Sequence, residues 1–237
     1  MDYKNGARGV RFLLSPNRTM SRTDMSLDHK AIIELIKQLI ASDISVGECM
    51  QRIIETCARD FPHPDWDKYT EIEYDEDVAA LGSWIAGVFE RQPAPFPIHG
   101  LWMGLVQRVN QQGHVWADMY VAATSHYDPS DPEYAWLRKN PRHFPDNAYA
   151  WSMSLCNIYA ESYKSKTGLG IHAEWPLALA FGAFAVRSLL ADHTTQLVGS
   201  SAPRIGVVVG FDDGDLLKIG GLTASGFEPA RSTDQLP

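Results

Sequence analysis

The sequence predicts an α+β fold, with about five helices around a small antiparallel sheet of two hairpins and a central apolar helix over residues 176–191. Three observations predict it. Between Leu177 and Leu190 the only charged residue is Arg187, which is typical of a helix buried on most sides. Four other segments place apolar residues at helical spacing. Two pairs of strand-like segments each flank a turn-like sequence.

The first two helices are predicted to form a hairpin over residues 27–58. Apolar residues recur at helical spacing through the first segment, and Ser26 is its expected N-cap. Ser45 and Glu48 have the spacing of a capping box, which places the start of the second helix at this point.

The middle of the chain is predicted to hold a short strand, a third helix and the first hairpin. Residues 69–74 alternate like a strand, and three successive acidic residues then favour the start of a helix, where the dipole is positive. The hairpin covers residues 101–123, with Val115, Ala117 and Met119 on one face of its second strand and Trp116, Asp118 and Tyr120 on the other.

The C-terminal half is predicted to hold two helices and the second hairpin. Four prolines exclude long regular structure between residues 124 and 147. A helix is then expected over 148–163, and the central helix follows with Pro176 in its first turn. The second hairpin spans 204–220 around an Asp-Gly turn.

The chain is predicted to be one domain with two tails. Residues 1–25 hold five basic and two acidic residues (5 − 2 = +3) and indicate a flexible basic tail. Residues 26–222 form the single α+β domain, and 223–237 are expected to be a C-terminal tail.

Composition limits the classes of function. A net charge of −8 argues against binding the phosphates of nucleic acid and is compatible with a basic protein partner. Three cysteines without a CxxC pair indicate a reducing cytoplasm rather than a disulfide framework. The apolar run is shorter than the ~20 residues that span a bilayer, so no membrane partner is expected.

Two acidic and aromatic segments are the predicted partner-binding residues, because Tyr and Trp anchor protein interfaces and charge steers a basic partner. The first segment contributes Tyr127, Asp128, Asp131, Glu133, Tyr134 and Trp136. The second contributes Asp65, Trp66 and Asp67. The alternative for both is that the aromatic rings pack against the fold and the acids face water.

No catalytic residue, cofactor or metal is predicted. The sequence contains no P-loop, HExxH or GxSxG motif. Asp212, Asp213 and Asp215 are weak candidates for a divalent cation, since carboxylate oxygens bind such ions, but a solvated hairpin turn is the favoured explanation. His126 and His143 are candidate general bases if a carboxylate orients them.

A family resemblance rests on three motifs and the apolar helix. The motifs are HGLWMGLVQRV, ADMYVAATSHYDPSDPEYAW and GVVVGFDDGDLLKIG, and the match covers about residues 66–220. Together they resemble an uncharacterised family of soluble bacterial proteins, and the resemblance implies no activity, cofactor or catalytic residue. In size and character the chain is similar to immunity proteins, the partners of bacterial toxins.

The functional expectation is a non-catalytic cytoplasmic binding protein, of the immunity type, that neutralises a basic toxin through an acidic and aromatic surface. One alternative is a small hydrolase using an Asp and His pair or a carboxylate-bound metal. The other is an accessory subunit of a larger assembly.

Overall fold

The computed structural model describes residues 27–192, 204–212 and 214–230. The predicted N-terminal tail over 1–25 lies outside these residues, as do Ser26, Asp213 and residues 231–237. Helices and a sheet are both present, so the α+β class is confirmed.

Six α-helices occur in the described residues: α1 (His29–Ile40), α2 (Val46–Asp60), α3 (Asp67–Thr70), α4 (Tyr74–Arg91), α5 (Met153–Tyr163) and α6 (Ile171–Asp192). The capping box of Ser45 and Glu48 at the start of α2 is confirmed, with both of its hydrogen bonds formed. The expected N-cap of α1 is wrong, because the Asp28 carboxylate caps this helix by accepting from the Ala31 amide.

The strand predicted over 69–74 is wrong, because this segment contains the end of α3, a turn and the first residue of α4. Tyr69 and Tyr74 both point into the core, and the Tyr74 hydroxyl donates to the Tyr69 carbonyl oxygen. The alternating pattern itself lies in the turn between the two helices, where Glu71 and Glu73 are exposed while Ile72 is half-buried and Tyr74 is buried.

The sheet is larger than predicted and is partly parallel. Its strands are β1 (Gly100–Val109), β2 (Val115–Thr124), β3 (Arg142–His143), β4 (Tyr149–Trp151), β5 (Arg204–Phe211), β6 (Leu216–Thr223) and β7 (Gly226–Pro229). Both predicted hairpins are present, as β1–β2 and β5–β6. Parallel pairing of β1 with β5 joins them into one sheet of order β3-β2-β1-β5-β6-β7, with β4 also on β2.

Strand β7 lies within the segment predicted to be a C-terminal tail. It pairs with β6 from Gly220↔Pro229 to Thr223↔Gly226, so residues 226–229 belong to the sheet. The tail prediction stopped at the end of the second hairpin because these four residues are too few to show alternation.

The central helix α6 packs against the sheet and against four other helices, while α5 also contacts β2 directly. Helix α6 contacts α1, α2, α4 and α5 on one side and β1 and β5 on the other. It begins at Ile171, so Pro176 lies inside the helix and not in its first turn as predicted. Gly182 permits the close approach to the sheet, because a β-carbon there would lie 3.2 Å from Leu105 and Val209 side-chain atoms.

Helix α6 is long and apolar enough to cross a membrane by composition, but 89 % of its most apolar window is buried inside the protein. Its apolar character is therefore explained by packing between two layers. The inner sheet face that α6 and α5 cover carries Leu101, Met103, Leu105, Met119, Val121, Val207 and Val209, all of them buried.

Candidate functional site

The outer face of the sheet carries large aromatic rings, and glycines on neighbouring strands make room for them. The Tyr120 ring lies over Gly104, where a β-carbon would come within 2.0 Å of it. Gly206 and Gly100 make the same room for the Tyr127 and Trp136 rings, at 1.9 Å and 2.3 Å. Aromatic rings can therefore lie flat on this face.

The first predicted binding segment covers one half of that face. Trp136 is 1 % exposed and packs with Leu137 and Val208, while Tyr127 and Tyr134 are half-buried against the same cluster. The Tyr127 and Trp136 rings meet edge to face, with centroids 5.1 Å apart. Trp136 is therefore packed inside the fold, because β1 and β5 take up its surface and leave almost none of it for a partner.

The acids of this segment order the loop. Asp128 accepts hydrogen bonds from the Ser130 hydroxyl at 2.6 Å and the Ser130 amide at 2.9 Å, which lower the pKa of its carboxyl group. Asp131 accepts from the amides of Glu133 and Ala135, at 3.0 Å and 2.7 Å. These bonds explain the acids as turn-forming residues, and Glu133 remains exposed.

The second predicted segment is also partly structural. Trp66 is 3 % exposed and donates its indole N–H to the Phe61 carbonyl oxygen at 2.8 Å, so it belongs to the core. Asp65 pairs with Lys68 at 2.6 Å, and the hydrogen bond from Lys68 lowers the pKa of its carboxyl group. Of the three predicted residues, Asp67 is the one left exposed at the start of α3.

The weak metal candidates point in different directions. Asp212 accepts a hydrogen bond from the Tyr120 hydroxyl on the outer face, and burial together with this bond raises the pKa of Tyr120. Asp215 accepts from the Trp175 indole N–H of α6 at 2.6 Å. Asp213 lies outside the described residues. No group of three or more His, Cys, Asp or Glu residues is placed to hold a metal ion within the described part of the chain.

The candidate general bases bond to groups other than carboxylates. A ring nitrogen of His126 lies 3.0 Å from the Ser125 hydroxyl oxygen, and one of His143 lies 2.9 Å from the Gln92 carbonyl oxygen. Neither of these hydrogen bonds is to a carboxylate, so these contacts do not provide the orienting group that a general base would need.

The other half of the outer face is open, and four large apolar side chains are about half exposed there. We call them, with Trp116 and Tyr120 beneath, the aromatic patch. Their exposed fractions are 48 % for Phe144, 45 % for Tyr149, 62 % for Trp151 and 56 % for Met153.

The rings of the aromatic patch touch one another in two groups. Phe144 and Tyr149 each lie within 5.6 Å of the Tyr120 ring centroid and of one another. Trp116 and Trp151 lie 6.5 Å apart. Edge strand β4 sets this geometry, because it pairs Tyr149 opposite Tyr120 and Trp151 opposite Asp118.

One arginine adds a charge to the patch. The Arg108 guanidinium lies 4.8 Å from the Tyr149 ring centroid and pairs with Asp118 at 3.1 Å. A cation over an aromatic face is attracted by the ring quadrupole. This pair holds Tyr149 in place while leaving much of its ring exposed.

An acidic groove lies beside the patch, between the α3–α4 region and α5. Its cavity volume is about 670 Å³, and its walls carry Glu71, Glu73, Glu76, Glu161, Lys68 and Lys164. Met153 lines the groove, and it follows Trp151 of the aromatic patch by two residues across the extended Ser152, so the two surfaces meet at this point.

Sequence reasoning missed the aromatic patch because residues 148–152 were assigned to a helix. The Ser152 side chain caps α5 by accepting from the Leu155 amide, so the helix begins only at Met153. The signal was the order Tyr-Ala-Trp-Ser, in which two aromatic residues alternate with a small one before a good N-cap.

Comparisons with protein-family models, with curated proteins and with solved structures give no match. The geometry of the described residues is therefore the basis for a functional assignment.

Proposed function

We propose that this chain is a non-catalytic protein-binding protein and that the aromatic patch is its partner surface. The observation that carries the proposal is the half exposure of Phe144, Tyr149, Trp151 and Met153 in one place. A contiguous apolar surface of this kind is typical of interaction sites. Tyr and Trp are also the residues that most often dominate binding energy when a partner buries them.

The proposed partner is a basic protein, and the proposed setting is the cytoplasm. The net charge of −8 supports a basic partner, because complementary charge speeds encounter and excludes acidic competitors. In the immunity-type form of this proposal, the partner is a toxin whose active site is covered or blocked when the complex forms. The same surface would also serve an accessory subunit, and toxicity of the partner expressed alone distinguishes the two.

The first prediction is that the tagged chain captures one stoichiometric partner from its own host and that the aromatic patch is required. Replacing Tyr149 and Trp151 together by serine is expected to reduce capture at least about tenfold, because truncating a central aromatic residue commonly costs ~2 kcal/mol or more. The readout is quantitative mass spectrometry of the captured proteins.

The matched control replaces Val109 and Ile171 by serine. These residues are 61 % and 56 % exposed, so the same exposed apolar character is removed away from the patch. Capture is expected to stay within about twofold of wild type. Equal capture by the patch variant and the control variant, with both folded, contradicts the assignment of this surface.

A further inference from the structure

We infer that the acidic groove is a binding site for a lysine- or arginine-rich segment of the partner protein. The inference rests on the proposed function, because the groove continues the aromatic patch through Met153. It adds the chemistry of the partner, namely cationic side chains placed beside an apolar anchor.

The groove has an excess of negative charge. Five carboxylates (Glu71, Glu73, Glu76, Asp77 and Glu161) and two lysines line it, which leaves 5 − 2 = 3 negative charges. Both lysines are already paired, Lys68 with Asp65 at 2.6 Å and Lys164 with Glu161 at 2.8 Å.

The free carboxylates are those at the start of α4. Glu71, Glu73 and Glu76 are exposed and form no ion pair with any described residue. Their charges are therefore available to attract an incoming cation.

Buried, unused hydrogen-bonding atoms at the same groove independently indicate a ligand. Ser154 lines the groove and is 1 % exposed, yet its hydroxyl oxygen has no hydrogen-bond partner among the described residues. Glu161 Oε2 is also buried without a hydrogen bond, although Lys164 pairs with the other oxygen of this carboxylate at 2.8 Å and Lys68 Nζ lies 4.0 Å from Oε2. Buried acceptors are normally satisfied, so these two are available to the N–H groups of a guanidinium or ammonium ion.

The spacing of the carboxylates favours a segment with several cationic side chains over a metal ion. Within the described ranges no three acidic, histidine or cysteine residues converge on one point. A metal ion needs such convergence, whereas a basic segment places its charges several ångströms apart. The volume of about 670 Å³ accommodates more than one long side chain.

The test measures binding of a short fluorescein-labelled peptide that alternates glycine and arginine, by fluorescence anisotropy on the full chain. Replacing Glu71, Glu73 and Glu76 together by glutamine is expected to weaken binding at least about tenfold, because three attractive charges are lost. The control replaces Glu55, Glu90 and Glu133 by glutamine, which changes the net charge equally on other exposed surfaces, and is expected to weaken binding less than about threefold. Equal weakening by the two triple variants would overturn the inference.

Two further arms define the site and its ligand. Ser154→Ala keeps the charge of the groove but removes the unused hydroxyl. It is expected to weaken binding of the peptide about threefold without lowering the unfolding temperature of the protein. Spermine is expected to compete at least about tenfold more weakly than the peptide, and a spermine affinity equal to that of the peptide would overturn the assignment to a protein segment.

The peptide test and the partner test distinguish failure of the groove inference from failure of the proposed function. Peptide binding is measured on the free protein, so a loss in the glutamate variant supports the groove whatever the serine variants of the patch do. Partner capture that needs Tyr149 and Trp151 but not the groove glutamates would support the proposed function and overturn the inference.

Discussion

Replacing Asp77 by alanine is expected to destabilise the fold by about 3–5 kcal/mol. Asp77 is buried on α4, and its carboxylate accepts three hydrogen bonds from the start of α5. The donors are the Ser152 hydroxyl at 2.6 Å, the Met153 amide at 3.1 Å and the Ser154 amide at 2.9 Å. Alanine leaves these donors buried and unpaired at the positive end of a helix.

Urea unfolding followed by circular dichroism measures this effect. Asp77→Asn retains one acceptor oxygen and is expected to show a smaller loss than alanine. Glu76→Ala, on the same helix but exposed, is expected to stay within about 1 kcal/mol of wild type. If Asp77→Ala proves as stable as Glu76→Ala, the carboxylate does not hold α4 and α5 together.

Trp136→Ala and Trp151→Ala are expected to have opposite effects on stability and binding. Trp136 is 1 % exposed under the loop, so its removal opens a cavity that costs about 3–5 kcal/mol. Trp151 is 62 % exposed, so its truncation is expected to cost less than about 1 kcal/mol of stability. Partner capture by the folded protein is expected to be lost with Trp151→Ala and retained with Trp136→Ala.

Trp136→Ala and Trp151→Ala are therefore matched controls for one another, because the same side chain is removed at a buried position and at an exposed position. Trp136→Phe keeps a ring over Gly100 while removing the indole N–H, which has no partner among the described residues, and is expected to restore most of the stability. Loss of capture by folded Trp136→Ala, with Trp151→Ala unaffected, would return the partner surface to the loop over 127–136.

Local sequence patterns predicted those parts of the fold that depend on residues close together in the chain. The alternation in β2 correctly separated Ala117 and Met119 on the inner face from Trp116 and Tyr120 on the outer face. The capping box at Ser45 and the two hairpin turns also depend on residues close in sequence. The parallel pairing of β1 with β5 joins residues about a hundred positions apart, and no local signal specifies it.

The sequence did not indicate which of the predicted aromatic rings are buried. Aromatic residues near acids correctly suggested a packed loop, but whether the rings face the protein or the solvent depends on glycines in distant strands. Gly100 and Gly206 receive Trp136 and Tyr127 on the outer face, which removes these rings from the binding surface. The open half of that face depends on β4, whose three residues are too few to show a strand pattern.

Hydroxyl-radical footprinting of the protein with and without its captured partner tests the central claim most directly. The account predicts that oxidation of Tyr149, Trp151 and Met153 falls severalfold in the complex, because the partner buries them, while Ile171 is oxidised equally in both states. Unchanged oxidation of all three patch residues, with protection found instead at Tyr134 in the loop, would contradict it.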